Sequence, residues 1–179
     1  MPLSLGAPGS DAAMDRLTGL RDPGDLMADV QDGSHDNCET VLIDIAGLNW
    51  LNSELGHAEG DMAIRLIGSL IESRAGQSGG KTYRIAGEEF LVLLPRSSHT
   101  EALRLASGIL AGCSALRIRY RCPDEQREYL AVNAVVMRLT LIEIRDIQIL
   151  RDHLAQRIYD ASLSQGRRFG LVIDSPEAV

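Results

Sequence analysis

Three acidic residues stand where an ionised carboxylate needs a partner. Asp44 is the single charge in the apolar run 41–45, and burying an unpaired carboxylate is costly. Glu88 and Glu89 are adjacent, and like charges that close repel each other unless water or a divalent cation relieves them. If the fold brings the three together, their oxygens would suit Mg²⁺, which binds a few carboxylates and leaves positions open for water and phosphate.

Each of these acids also has an ordinary structural explanation. Asp44 could be a buried residue that is hydrogen-bonded to the backbone or paired with an arginine. Glu88 and Glu89 could form a solvated acidic turn without any ligand. A metal site therefore depends on the elements that carry the acids and on whether those elements are neighbours.

The hydrophobic pattern predicts the elements that carry the acids. The β-branched run 41–45 is bounded by polar residues and predicts a buried strand. Two strand-like runs, 82–86 and 90–94, are separated by the short turn 87–89 and predict a β-hairpin with the glutamates at its tip.

The rest of the chain continues the alternation of helices and strands. Apolar spacing, turn residues and strand-like runs predict four further segments. These are a helix over 51–73 with a start signal at Gly60-Asp61, a helix over 100–115, a long hairpin over 116–141 broken at 123–124, and a helix over about 143–163 followed by a closing strand over 168–173.

The predicted elements give the core order βαββαβ with additions. This is a ferredoxin-like arrangement of the α/β (α+β) class, in which helices flank a mostly antiparallel central sheet, and it is also the palm layout of many nucleotide-polymerising enzymes. In it the first strand and the hairpin are central neighbours, so Asp44 and the two glutamates should converge. We assign residues 15–175 to this single domain, and 1–14, rich in Gly, Pro, Ala and Ser, to a flexible arm or linker remnant.

Composition excludes some classes of function. The net charge of −7 argues against a surface that binds a nucleic-acid backbone, because such proteins neutralise phosphates with Lys and Arg. No window approaches the roughly 18 apolar residues that span a bilayer, so no membrane segment is expected in this chain. The three cysteines are far apart in the sequence and have no metal-ligand spacing, which favours a reducing, cytoplasmic location.

Four motifs and one strand aspartate, in fixed order, resemble the GGDEF family of diguanylate cyclases. The family carries a D-x-LTGL run, a strand with a metal-binding Asp, then N-D-x-x-G-H-x-x-G-D, R-x-G-G-[DE]-E-F and K-x-x-G-R. The matching positions here are 15–20, Asp44, 52–61, 84–90 with the variant signature AGEEF, and 166–167. The resemblance extends from position 15 to about position 170, which is nearly the whole chain.

The resemblance implies a metal and nucleotide site. Mg²⁺, or Mn²⁺, would be held by Asp44, the Ile45 carbonyl and Glu88, while Glu89 would be a further ligand or would help to activate the attacking hydroxyl. Asp44, Glu88 and Glu89 would thus be the catalytic residues. The nucleotide-binding residues implied by the family are Asn52 and Asp61, which read guanine, Leu17 and Leu48, which line the purine pocket, Gly87 in the signature turn, and Arg167, which binds phosphate.

Two of these assignments have alternatives. Asp61 could be the N-cap of its helix, alone or in addition to reading guanine, since Asp is a common capping residue. Core packing is as good an explanation as a purine pocket for Leu17 and Leu48.

The activity implied by the family is condensation of two GTP molecules into cyclic di-GMP, with release of pyrophosphate. Each protomer of a homodimer would hold one GTP, and a sensor domain upstream of this chain is a possible further partner. Several positions depart from the family, among them three in or near its motifs: Ala86 replaces the first glycine of the signature, Asn49 replaces a phosphate-contacting lysine, and the lysine of the last motif is absent. The missing lysines leave an alternative, a degenerate domain that binds GTP or a partner protein and regulates without catalysis.

Overall fold

The computed structural model describes residues 14–31, 38–121, 128–139, 147–165 and 170–175. Within these ranges the helices are α1 (Pro23–Gln31), α2 (Leu48–Leu55), α3 (His57–Gln77), α4 (His99–Leu116) and α5 (Ile147–Gln165). The strands are β1 (Cys38–Ala46), β2 (Lys81–Ala86), β3 (Glu89–Leu94), β4 (Ala131–Leu139) and β5 (Val172–Ser175).

The strands form one sheet in the order β2-β3-β1-β4-β5. Neighbouring strands are antiparallel except β4 and β5, which are parallel. The first four strands thus have the ferredoxin-like order predicted from the sequence, with β1 and β3 in the middle, and β5 extends the sheet beyond β4.

Helices cover both faces of the sheet. Because side chains alternate along a strand, Val41, Ile43 and Ile45 of β1 point into a core formed with α3 and α4. Leu42 points to the other face and joins a second core that includes residues of α1 and α5. Asp44 has the same parity as Leu42, so its side chain lies on the α5 side of the sheet.

The predicted helix over 51–73 is wrong in its bounds. The structure has two helices, α2 and α3, which meet at Gly56, and this glycine is the N-cap of α3 with φ 92°. The start signal read at Gly60-Asp61 therefore lies inside α3, and the proposed capping role of Asp61 is wrong because the helix begins a full turn earlier, at His57.

The segment 116–141 also differs from the predicted long hairpin. Among the described residues of this segment only β4 forms an extended strand. The residues before it pair antiparallel with residues 118–120 through a bridge between Arg119 and Tyr129. The closing strand begins at Val172, later than predicted. Helix α1 was not predicted. The break at 123–124 and most of the proposed arm, 1–13, lie outside the described residues; Met14 forms a bridge with Arg21.

None of the described helices is both long and apolar enough to cross a membrane.

Glu39, a buried acid near the start of β1, and His99 together connect α4 to β4 and β5. Glu39 is 1% exposed and accepts hydrogen bonds from Arg138 at 2.8 and 3.0 Å. His99, the first residue of α4, contacts Glu39 through Nδ1 at 2.7 Å and Asp174 of β5 through Nε2 at 2.6 Å. Since carboxylates accept at both ring nitrogens, the imidazole is doubly protonated, and the hydrogen bonds to Glu39 and Asp174 raise the pKa of His99 above its usual range.

This raised pKa predicts a pH-dependent contribution to stability. A histidine whose pKa is higher in the folded state stabilises fully below its unfolded value of about 6.5, and the stabilisation is lost as pH rises through the folded value. The difference in free energy of urea unfolding between wild type and His99→Gln should therefore be largest near pH 5.5 and shrink towards pH 8.5. A difference that stays constant over this range would contradict the assignment of a charged imidazole.

Candidate functional site

The central strands bring two of the predicted acids side by side. Asp44 and Glu89 are cross-strand partners in the antiparallel pairing of β1 with β3. The Ile45 amide donates to the Glu88 carbonyl at 3.2 Å, which fixes the hairpin tip against the end of β1. Glu89 is the first residue of β3, so the turn between β2 and β3 consists of Gly87 and Glu88 alone and not of the three residues predicted.

The surroundings of Asp44 oppose its ionisation. Burial, followed by the neighbouring charges of Glu88 and Glu89, raises the pKa of Asp44 to about 7. Among the described residues none donates a hydrogen bond to this carboxylate or forms a salt bridge with it. The ordinary explanation for a buried Asp, pairing with an arginine or with the backbone, therefore does not apply within the described structure.

Glu89 has a partner that was not predicted from the sequence. Arg151, in the second turn of α5, donates from Nε to Glu89 Oε2 and from Nη1 to Gln148 Oε1, the latter at 3.1 Å. The largest cause that raises the pKa of Arg151 is this bond to Glu89, and the charge of Glu88 also contributes. The guanidinium thus lies within electrostatic reach of both glutamates.

The acids do not form a closed metal cluster. Among the described residues no group of three His, Cys, Asp or Glu side chains has the spacing of a metal site. Carboxylates without a cation between them repel, and Glu89 turns towards Arg151 instead. The donor set nevertheless fits a hard divalent cation, because Asp44 and the two glutamates supply carboxylate oxygens and the end of β1 supplies the Ile45 carbonyl. The metal ligands remain a prediction.

An arginine of β2 stabilises the signature turn through hydrogen bonds. Arg84 of β2 donates to the Gly87 carbonyl from Nε at 2.9 Å and from Nη2 at 2.7 Å. Its Nη1 also contacts both carboxylate oxygens of Asp15, at 2.9 and 3.1 Å. Partial burial opposes it, but hydrogen bonds from Thr18 and Arg84 hold the pKa of Asp15 below its usual range. The hydrogen bonds that link Asp15 to Arg84 and Arg84 to Gly87 therefore fix the hairpin tip.

We expect Arg84→Met to lower the free energy of unfolding by about 1–3 kcal/mol, because it leaves a partly buried carboxylate and a carbonyl without charge-assisted donors. The side chains of Arg84 and Asp15 are 13% and 23% exposed, so solvent replaces these bonds poorly. Arg65→Met is the matched control, since exposed Arg65 donates one bond at 3.2 Å to the Leu17 carbonyl and should change stability by less than about 0.5 kcal/mol. Equal losses in urea unfolding of the two variants would contradict this role for Arg84.

A cleft opens between the hairpin tip and the turn that joins β1 to α2. It has a volume of about 270 Å³ and is lined by Asp44, Glu88, Leu48, Asn49 and Trp50 among others. Gly47 forms this turn with φ 94°, and a Cβ there would lie 2.8 Å from the Tyr120 ring, so the backbone conformation and the space both require glycine. Leu48 is 5% exposed, so it belongs to the core and also reaches the cleft wall.

Asp44 also lines a second, larger cleft on the α5 side of the sheet. This cleft has a volume of about 780 Å³ and is lined by Asp44 and Glu89 on the sheet side. The wall on the α5 side is mostly apolar. It consists of Leu154, Ala155, Ile158, Tyr159, Ser162 and Leu163. Asp44 therefore lies between two spaces, each open to solvent.

Asn52 has a buried acceptor without a partner among the described residues. Its Oδ1 is inaccessible to solvent and accepts no hydrogen bond from them. The amide packs directly on Gly60 of α3, where a Cβ would lie 1.8 Å from Oδ1. Gly60 precedes partly buried Asp61, so the two residues predicted to read guanine are on adjoining segments of α2 and α3. A buried amide oxygen without a donor is uncommon, and either an ordered water or a ligand could complete it.

The structure places the other predicted residues as follows. Leu17 is partly buried and packs against the core on the α3 side. Ala86 lies in β2 without positive φ, so the change from glycine carries no backbone penalty. Arg167 lies outside the described residues. Sequence reasoning did not identify Arg151 or Asn133; Asn133 is a buried residue of β4 that pairs in register with Asp44 and accepts a bond from the Leu171 amide at 3.2 Å.

Comparison with known sequences identifies related proteins. The profile of the diguanylate cyclase GGDEF domain matches residues 12–168. Diguanylate cyclase VdcA of Vibrio cholerae serotype O1 is 30% identical over 115 residues, which are 62% of this chain and 33% of that protein. Diguanylate cyclase DgcM of Escherichia coli K12 is 35% identical over 78 residues, 44% of this chain and 19% of that protein. The chain thus spans about a third or less of the length of these relatives.

Comparison with solved structures gives the same fold. The coiled coil and GGDEF domain of DgcB from Caulobacter crescentus, in complex with c-di-GMP, matches with a TM-score of 0.71 at 21% identity, over 92% of this chain and 86% of that one. At this identity the likeness concerns the fold, and it confirms the palm-like cyclase architecture expected from the sequence. Because the family profile covers most of the chain, this protein belongs to the GGDEF family of diguanylate cyclases.

Proposed function

We propose that this domain is a diguanylate cyclase, which condenses two GTP molecules into cyclic di-GMP and releases two pyrophosphates. The observation that carries the proposal is Asp44, a partly buried acid that has no partner among the described residues and lies next to Glu89 on the central strands of a GGDEF domain. An ionised acid without a partner in the described part of the chain destabilises the fold, and a bound cation would offset that cost.

In this proposal each residue of the site has one task. Asp44, the Ile45 carbonyl and Glu88 would hold Mg²⁺ or Mn²⁺. When bound, the cation would neutralise charge on the phosphates and polarise the α-phosphate. Glu89 would complete the ligand set or accept hydrogen bonding from the 3′-hydroxyl that attacks. Each attack forms an O3′–P bond and breaks the bond from the α-phosphate to pyrophosphate, and the hydroxyl proton passes to solvent or base.

Guanine selection would come from Asn52 and Asp61. A carboxylate accepts from the N1 and N2 donors of guanine, a pair of donors that adenine lacks. The unpartnered Oδ1 of Asn52 supports this assignment, because it offers an acceptor already excluded from water. Since one chain binds one GTP, the reaction needs a homodimer in which each 3′-hydroxyl attacks the α-phosphate of the partner's nucleotide.

One observation favours a second candidate function. Asn49, exposed beside the smaller cleft, stands where the family has a lysine, and a neutral amide neutralises no phosphate charge. A domain that binds GTP without turning it over would regulate through its nucleotide state or through a partner protein.

Binding and turnover measured together distinguish the two candidates. Trp50 is the only tryptophan in the sequence, lies at the rim of the smaller cleft and is 38% exposed, so its fluorescence can report nucleotide binding. The cyclase proposal predicts that GTP with Mn²⁺ changes the fluorescence, that ATP does so far more weakly, and that GTP is consumed. Binding without consumption would favour the regulator, and no preference for GTP over ATP would contradict both.

A further inference from the structure

The contact between Arg151 and Glu89 has no role in the proposed catalytic mechanism. It is bonded to Glu89, and its side chain is 36% exposed, whereas that of Glu89 is 17% exposed. The bond uses Glu89 Oε2, and no described residue donates to Oε1. One oxygen of the proposed metal ligand is therefore engaged by a guanidinium, and the other stays available.

The site needs a cation of this kind. A nucleoside triphosphate brings several negative charges, and binding requires positive groups in addition to the metal. Neither family lysine is present, since Asn49 occupies one position and Ser162 or Leu163 the other. Lys81, the single lysine of the chain, pairs with Asp29 at 2.8 Å on β2, the edge strand of the sheet.

The position of Arg151 suits a phosphate. A cation such as Mg²⁺ lies about 2.1 Å from each oxygen it binds, so phosphate oxygens that share a cation with a carboxylate lie within roughly 4 Å of that carboxylate. A guanidinium bonded to the same carboxylate is then a neighbour of those oxygens. Its planar fork can bond the carboxylate with one edge and a phosphate oxygen with another, which a lysine ammonium does less well.

We propose that Arg151 is a triphosphate-binding residue of this domain, which takes the place of the missing family lysines and approaches the phosphates from α5. The assignment rests on the proposed function, since it presupposes that GTP binds beside Glu89. It makes α5 part of the nucleotide site, with the larger cleft between α5 and the sheet as the entrance on that side.

The test compares nucleotide and metal binding in the same variants. Calorimetric titration with a non-hydrolysable GTP analogue in excess Mn²⁺ should show Arg151→Gln binding about 10- to 100-fold more weakly than wild type, the range for loss of a charge-assisted hydrogen bond. Arg151→Lys keeps the positive charge but not the planar fork, so its affinity for the analogue should lie between those of wild type and Arg151→Gln. Arg157→Gln removes the same charge from the same helix at a residue that contacts His153, and should stay within about twofold.

A second readout separates this role from a structural one. With Mn²⁺ alone, Arg151→Gln should bind the metal as tightly as wild type or more tightly, because the positive charge next to Glu89 is gone. A variant that merely disturbs the site would lose both metal and nucleotide affinity, and that result overturns the assignment. So does unchanged or tighter nucleotide binding, which would make the contact inhibitory.

The two proposals fail differently. If wild type binds no GTP analogue under these conditions, both the proposed function and the assigned role of Arg151 are wrong. If wild type binds the analogue and Arg151→Gln binds it equally well, only the assignment of Arg151 is wrong.

Discussion

Asp44→Asn is expected to reduce the synthesis of cyclic di-GMP on the order of a thousandfold and, at the same time, to stabilise the metal-free domain. The loss follows from removing a charged ligand of the group that stabilises the transition state. The gain follows because wild-type Asp44 is partly buried and its charge has no partner among the described residues, whereas asparagine is neutral and of the same shape.

The stability effect has a defined pH dependence. The folded pKa of about 7 lies above the value of 3.8 for an unfolded Asp, so ionisation of Asp44 opposes folding increasingly as pH rises between these values. Urea unfolding in EDTA should show Asp44→Asn more stable than wild type by about 1–3 kcal/mol at pH 8, with little difference near pH 4. Glu72→Gln, at an exposed position of α3, is the charge control and should show no such trend. An Asp44→Asn domain less stable at pH 8 would contradict the account.

Gly60→Ala is expected to weaken GTP binding about 10- to 100-fold without unfolding the domain. A Cβ at Gly60 would lie 1.8 Å from Asn52 Oδ1, so the amide must leave the position that we assign to guanine. Alanine at a helix-interior position is favourable by up to about 1 kcal/mol relative to glycine, so lost affinity would not reflect a weakened α3.

Gly76→Ala is the matched control for this substitution. Gly76 lies in the same helix, and a Cβ there would have no neighbour within 4 Å. Fluorescence of Trp50 should report reduced GTP affinity and reduced preference over ATP for Gly60→Ala only. If both variants bind GTP like wild type, Asn52 does not read the base.

The features that sequence could predict are those encoded by local patterns. The run 41–45 became the centre of β1, and the hairpin formed from the two runs on either side of the glutamates, because alternation and turn residues act over a few positions. The ferredoxin-like order then followed from the sequence of elements, and the order brought Asp44 next to Glu89.

The features that sequence missed depend on longer range or on a single backbone torsion. Apolar spacing continues through Gly56, so periodicity alone did not show the break between α2 and α3. The resemblance to the family does place a tight turn between helices at Gly56-His57, and this break moves Asp61 out of the capping position. Arg151 lies 62 residues from Glu89, and nothing in the local pattern of α5 distinguishes it from other surface arginines. The contact between Glu39 and His99 spans 60 residues and likewise depends on tertiary packing.

The most direct test of the central claim is product analysis after incubation with GTP. At high protein concentration, which favours the dimer, and with Mg²⁺ or Mn²⁺, we predict that wild type forms cyclic di-GMP with two pyrophosphates for each cyclic product, both measured by chromatography. Glu89→Gln, which keeps the shape of the side chain and removes its charge, should bind GTP and form no product. The absence of any cyclic dinucleotide from wild type, while Trp50 reports bound GTP, would contradict the claim.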